Sequence, residues 1–138
     1  MNDRVFLDTA FVLALASPND QYHEKAKALS RQIRRDGILL VTTRAIFIEI
    51  GDAMAEARTR KAGTIMLESL EDDESLEIIP NSEELYSKAF ELFASRPDKE
   101  WGMTDCISFV VMKELDISEA LTTDLHFKQA GFNPLMRD

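Results

Sequence analysis

The sequence has 138 residues, 45% of them hydrophobic and 30% charged, with five glycines and four prolines. That is enough chain for one globular core, and it argues against a disordered or fibrous protein. The single cysteine, Cys106, excludes an internal disulfide and suits a reducing cytoplasm. A formal net charge of −9 argues against broad electrostatic attraction to nucleic acid or anionic membrane, although acids gathered around a divalent metal would contribute to it. No apolar run approaches the roughly 20 residues that span a bilayer.

Val5-Phe6-Leu7 runs straight into Asp8 and Thr9. Such a run predicts a strand buried on both faces, as in a parallel sheet. An aspartate at its end is costly unless something pairs with it. Arg4, the apolar stretch to Ala16 and the small residues Ala14-Leu15-Ala16-Ser17 also have the outline of a secretory signal. Asp8 inside the apolar segment and Asp3 in the basic flank count against that reading. Thr9 to Ala16 reads as a short helix, closed by Ser17-Pro18-Asn19-Asp20. A second helix, about Gln21 to Arg35, gathers Ala26, Leu29 and Ile33 on one face and Arg31, Arg34 and Arg35 on another. Asp36-Gly37 stops it.

Ile38 to Val41 is the second strand, with Thr42-Thr43 at its mouth. Ala45 to Ala57 is the third helix, with Ile46, Ile50, Ala53 and Met54 as its apolar face and Glu49 among the inward-facing residues. Another helix covers Lys61 to Asp73, and Leu76 to Ile79 is a third strand closed by Pro80-Asn81. Ser82-Glu83-Glu84 opens a helix to about Ser95 with an acidic first turn, and Arg96-Pro97-Asp98 breaks it. Thr104 is the expected N-cap of a deeply packed helix to about Leu115. Glu119 to Thr123 forms a fourth strand ending in Asp124. A short helix around His126 to Ala130 stops at Gly131, and Phe132 to Met136 adds an edge strand limited by Pro134. Strand and helix alternate without repeat or linker. The expectation is one domain over residues 1–138, a three-layer α/β/α arrangement with a mostly parallel sheet of four or five strands.

Two strands end alike, in Leu7-Asp8-Thr9 and Thr122-Thr123-Asp124. In a parallel sheet their carboxyl ends share one edge, where open α/β sheets bind ligands. Asp8 and Asp124 meet there if the strands are neighbours. Asp105 at a helix start, and Glu49 one turn into the helix leaving the second strand, lie toward the same edge. Four unpaired carboxylates repel one another. A hard divalent cation, Mg²⁺ or Mn²⁺, resolves that conflict better than zinc does, and no Cys/His spacing for zinc exists. Each acid also has a plainer reading. Asp8, Asp105 and Asp124 are good helix caps. Glu49 fits an exposed helix face, but needs a partner if buried among Ile46, Ile48 and Ile50. The joint placement favours the site.

Around these acids, Thr9, Thr104 and Thr123 are candidates to hydrogen-bond a carboxylate or a phosphate oxygen. Ser108, one turn after Asp105, is another, and Asp52 either extends the acidic wall or is solvated. Arg44, just after the second strand, is the phosphate-binding candidate. Arg31, Arg34, Arg35, Arg58, Arg60 and Lys61 read mainly as solvated helix faces. Cys106 reads as core. Trp101 and Phe127 read as core or rim, with base stacking as the alternative. His126 reads as a helix-start packing or capping residue, with substrate contact as the alternative, and His23 as surface.

The ordered set Val5-Phe6-Leu7-Asp8-Thr9, Ile48-Glu49-Ile50, Thr104-Asp105-Cys106-Ile107-Ser108 and Leu121-Thr122-Thr123-Asp124-Leu125-His126-Phe127, followed by Gly131-Phe132, resembles the PIN-domain nucleases. It is most similar to the VapC-type toxins of bacterial and archaeal toxin–antitoxin pairs. The resemblance implies a PIN-like fold and a Mg²⁺- or Mn²⁺-dependent endoribonuclease. In it, Asp8, Glu49, Asp105 and Asp124 are the catalytic and metal-binding acids. It also implies an RNA substrate, a homodimer, a small antitoxin protein as inhibitor and a cytoplasmic location. The rival of a different class is a PIN-like module that binds protein partners with an idle metal site; metal-dependent RNA cleavage separates the two. Aspartyl-phosphate enzymes fit poorly. Phosphatases of the haloacid-dehalogenase type carry an acid where Ala10 stands, and response-regulator receivers need a late strand ending in lysine.

Overall fold

Val5, Phe6 and Leu7 are at most 2% exposed, the burial expected of a strand with neighbours on both edges and cover on both faces. In the computed structural model, which describes residues 1–137, they lie in β1 (Arg4–Leu7), the middle of a five-stranded sheet. The other strands are β2 (Leu39–Thr43), β3 (Leu76–Ile79), β4 (Glu119–Leu121) and β5 (Asn133–Pro134). Their spatial order is β3-β2-β1-β4-β5, and every adjacent pair is parallel. The helices are α1 (Thr9–Ala16), α2 (His23–Asp36), α3 (Arg44–Ala53), α4 (Ala57–Glu71), α5 (Glu83–Ser95), α6 (Met103–Glu114) and α7 (Leu125–Gln129).

The chain steps from β1 to β2 to β3 in one direction, then crosses back to place β4 and β5 on the other side of β1. Right-handed crossovers put the helices of opposite steps on opposite faces, which gives the three layers. Accordingly α1 packs on α2 and α3, α3 on α4, α5 on α6, and α6 on α7. The reversal occurs at β1 and β4. Connections leave that pair of strand ends in opposite directions and open a crevice between them. Among the described residues, no helix is long and apolar enough to cross a membrane.

Several boundaries differ from the sequence expectations. The third helix stops at Ala53 rather than Ala57, and the next begins at Ala57 rather than Lys61. The corner between them depends on Gly63, where a Cβ would lie 2.9 Å from Met54 Cβ. Leu39 is 51% exposed, so the second strand is not buried along its whole length. Thr104 is not the N-cap of α6. Gly102 holds that position in an extended conformation, and the Asp105 carboxylate reaches back to accept its N–H at 3.1 Å. The fourth strand ends at Leu121, because the Thr122 N–H turns to the Ala120 carbonyl at 3.1 Å. The edge strand shrinks to two residues around Pro134, which has no N–H to extend the ladder.

Ser82 caps α5 as expected, accepting the Leu85 N–H at 3.0 Å. Trp101 and Phe127 are core residues. With Phe6 and Phe109 they form an aromatic chain, centroids 5.1 Å apart for Trp101–Phe109, 5.0 Å for Phe109–Phe127 and 6.3 Å for Phe6–Phe127. Burying each such ring stabilises by roughly 1.5–3 kcal/mol. The rings link β1, α6 and α7, the elements that lead into or carry Asp8, Asp105 and His126.

Candidate active site

Asp8 is the first residue after β1. Its backbone N–H donates to the Leu121 carbonyl at 3.3 Å, carrying the β1–β4 pairing one residue further. Asp8 occupies the N-cap position of α1, yet its side chain makes no capping bond. The carboxylate instead turns into the crevice, 7% exposed, and Oδ2 accepts the Thr122 hydroxyl at 2.7 Å. Burial pushes this carboxyl up from 3.8 to about 7, and the nearby charges of Glu49 and Asp105 push the same way against the bonds from Thr122 and the Thr9 backbone. A buried acid with two further acids beside it is the conflict that the sequence pattern anticipated.

Glu49 is half-buried on α3, and its Oε1 accepts the hydroxyl of Thr9, the first residue of α1. Packing of α1 on α3 thus fixes where this acid points. Asp105 lies in the first turn of α6. Its Oδ2 accepts both the Gly102 N–H at 3.1 Å and His126 Nδ1 at 3.2 Å, an arrangement that makes Nδ1 the donor. Burial raises the Asp105 carboxyl; the Gly102 N–H opposes this, the Asp124 charge adds to it and His126 opposes it.

Asp124 does cap a helix: its Oδ1 accepts the His126 N–H at 2.8 Å at the start of α7. That bond uses one oxygen and leaves the other. Ligand atoms of Asp105, Asp124 and His126 all lie within 4.8 Å of one another, and Asp8 and Glu49 are not part of that group among the described residues. The four expected acids therefore share one crevice, as a tight Asp105–Asp124–His126 group with Asp8 and Glu49 close enough for their charges to interact.

The accessory residues divide differently. Thr9 does hold an acid. Ser108 is fully buried and donates to the Thr104 carbonyl at 3.1 Å, so its hydroxyl is used inside α6. Thr104 is half-buried at the start of the same helix and lines a groove of about 690 Å³ with Ala45, Ile48 and Tyr86. Thr123 offers its carbonyl to Arg137 Nη1 at 3.0 Å. Arg44 opens α3, but its guanidinium grips the Glu71 carboxylate at 2.7 and 3.2 Å and lies 4.7 Å over the Phe47 ring. Asp52 is exposed.

Two roles in the site differ from the sequence expectations. Thr122, rather than Thr123, bonds a carboxylate, and His126 bridges two acids, its Nδ1 lying 3.5 Å from Asp124 Oδ1. A usable signal for His126 was its position two residues after an Asp cap, where the first helical turn folds back over that cap.

The family model described as PIN domain matches residues 5–133. No curated protein matches the sequence. The fold is similar to the crystal structure of Mycobacterium tuberculosis VapC20, described as a sarcin-ricin loop cleaving toxin. The TM-score is 0.83 at 23% identity, over 93% of this chain and 95% of that one. With the reversed sheet order, the acids at the β1–β4 mouth and a family match across nearly its whole length, this chain belongs to the PIN domain family.

Proposed function

We propose that this PIN domain protein is a metal-dependent endoribonuclease, the toxin of a toxin–antitoxin pair. One observation carries the reading: Asp8 is buried at the β1–β4 mouth with its carboxyl pushed up to about 7, close to the charges of Glu49 and Asp105. Helix capping accounts for Asp105 and Asp124, but not for Asp8, whose side chain makes no capping bond, nor for Glu49 inside α3. A cation removes the cost. The donor set is carboxylate oxygens with one imidazole at its edge, which suits a hard ion such as Mg²⁺ or Mn²⁺.

In this reading Asp8, Asp105 and Asp124 hold the ion, directly or through water. Glu49, held by Thr9, is a ligand or orients the attacking water. His126 donates to Asp105 and keeps that carboxylate turned toward Asp124. When bound, the cation lowers the pKa of a water and neutralises charge on the scissile phosphate. In-line attack leaves a 5′-phosphate and a 3′-hydroxyl. Arg44 contacts a substrate phosphate after releasing Glu71. The domain spans residues 1–138, pairs as a homodimer and is inhibited by a small antitoxin protein. VapC20, described as cleaving the sarcin-ricin loop, makes a structured ribosomal RNA loop a natural first substrate to try.

The test is cleavage of assorted RNAs by the purified protein in Mg²⁺ or Mn²⁺, with product ends sequenced. Asp105→Asn should cut more slowly than the parent by over about a hundredfold, beyond the usual 10–100-fold loss for outer-shell partners of a metal, with an unchanged circular dichroism spectrum. A variant that cuts at the parental rate removes Asp105 from the site. A parent that binds Mn²⁺ but cuts none of the RNAs leaves the protein-binding module as the better account.

A further inference from the structure

The C-terminal residues return to the sheet edge that carries the acids. β5 pairs parallel with β4, so Leu135, Met136 and Arg137 leave it beside the segment that leads to Asp124. The Leu135 N–H donates to the Ala120 carbonyl at 2.9 Å, the Met136 N–H to Thr122 at 3.2 Å and Arg137 Nη1 to Thr123 at 3.0 Å. Met136, 1% exposed, anchors this strap. The Arg137 side chain is thereby tethered to the residue before Asp124 while it stays exposed. A guanidinium has five N–H donors, and the carbonyl takes one. Lys128, exposed one turn after Asp124 on α7, shares with Arg137 a cleft of about 670 Å³ that Asn2, Leu125 and Asn133 also line. The acid in that lining, Glu119 at the start of β4, accepts the Asn2 N–H. Acids outnumber cations in this chain, 25 to 16. Arg35, Arg44, Arg58, Lys88 and Arg96 each hold a carboxylate at 3.1 Å or less. Among the described residues, neither Arg137 nor Lys128 does.

We propose that Arg137 and Lys128 form a phosphate-binding subsite for RNA, which guides the strand from the acids at the β1–β4 mouth out over α7 and β5. The inference rests on the ribonuclease reading above. An exposed guanidinium with free donors and an unpaired ammonium suit phosphodiester oxygens, and such contacts position a strand without reading its bases. The subsite lies on the β5 side of the crevice and Arg44 on the β2 side, so the strand crosses the acids between two cationic contacts. This places positive charge where an acidic protein needs it and leaves the rest of its surface repulsive. The rival role for Arg137 is structural: its bond to Thr123 only holds the loop that bears Asp124. That role predicts an effect on cation affinity instead of RNA affinity.

The experiment follows binding of a short fluorescent oligouridylate to the full-length protein by anisotropy, across a range of salt. Ca²⁺, a hard cation that takes carboxylate oxygens, is held constant to neutralise the acids, and a gel confirms that the probe stays intact. Arg137→Gln and Lys128→Gln should each reduce the slope of log affinity against log salt by about 0.7, and the double variant by about 1.4. Lys61→Gln, on the exposed face of α4, should keep the parental slope. A parental slope in either single variant overturns the subsite, and so does an equal fall in Lys61→Gln, which makes the effect one of net charge. Calorimetric titration of Mn²⁺ into the EDTA-stripped protein runs in parallel, and Arg137→Gln should bind as the parent does. Weakened Mn²⁺ binding with a parental RNA slope assigns Arg137 to holding the loop and overturns the proposal. A parent that does not bind the oligouridylate overturns it too, whereas the ribonuclease reading stands or falls separately on cleavage of the assorted RNAs.

Discussion

Replacing Asp8 by asparagine should stabilise the metal-free protein, and the gain should depend on pH. The native carboxyl is held near 7 against 3.8 for an ordinary aspartate, chiefly by burial. The native state therefore binds this proton more tightly than the unfolded chain does. Stability falls as pH rises from about 4 to about 7, and the full penalty persists above that range. At about 1.36 kcal/mol per pH unit, the gap amounts to about 4 kcal/mol. Asparagine carries no charge, and its amide oxygen can still accept the Thr122 hydroxyl, so its stability lacks this pH dependence. In EDTA, the melting temperature of Asp8→Asn minus that of the parent should be small near pH 4 and grow to the order of 10 °C near pH 8. Adding Mn²⁺ near pH 8 should reverse the order, because the parent gains ligand binding energy that the variant lacks. Thermal melts followed by circular dichroism across that range measure the difference directly. A difference that does not change between pH 4 and pH 8 would refute the argument that Asp8 is buried against its own charge.

Two further perturbations test other parts of the structure. Arg44→Ala should reduce the slope of log affinity for single-stranded RNA against log salt by about 0.7, the share of one phosphate contact, and Glu71→Gln should tighten binding at low salt by releasing the guanidinium that it now holds; an unchanged slope in Arg44→Ala removes that residue from the substrate path. Gly63→Ala places a Cβ 2.9 Å from Met54 Cβ and should cost about 1–3 kcal/mol through overpacking, despite alanine's better helix propensity. A denaturant midpoint equal to or above the parent's would show that the α3–α4 corner relaxes freely.

Much of the architecture was legible because it is written in local patterns. Val5-Phe6-Leu7 is apolar on both faces, and it became the central strand. Leu76–Ile79 and the Ser82 cap fell where composition put them. The acids at positions 8, 49, 105 and 124 could be aligned on one edge once alternating strands and helices implied a parallel sheet. The boundaries that moved did so where a distant contact outweighed local preference, as where Gly63 packs against Met54 and where the Asp105 carboxylate caps Gly102.

By itself, the sequence determined that an acid follows the first buried strand and that three more stand at comparable places in later elements. Only the tertiary structure decided that β4 lies beside β1, so that Asp8 and Asp124 share a crevice, and that β4 ends at Leu121. That early end chose Thr122 over Thr123 as the partner of Asp8 and brought His126 between Asp105 and Asp124. The physical reason is that the direction of a side chain at a strand's end depends on where its ladder stops. Here the ladder stops where the Thr122 N–H turns back to the Ala120 carbonyl, and the ladder itself exists only because β1, far away in sequence, lies beside β4.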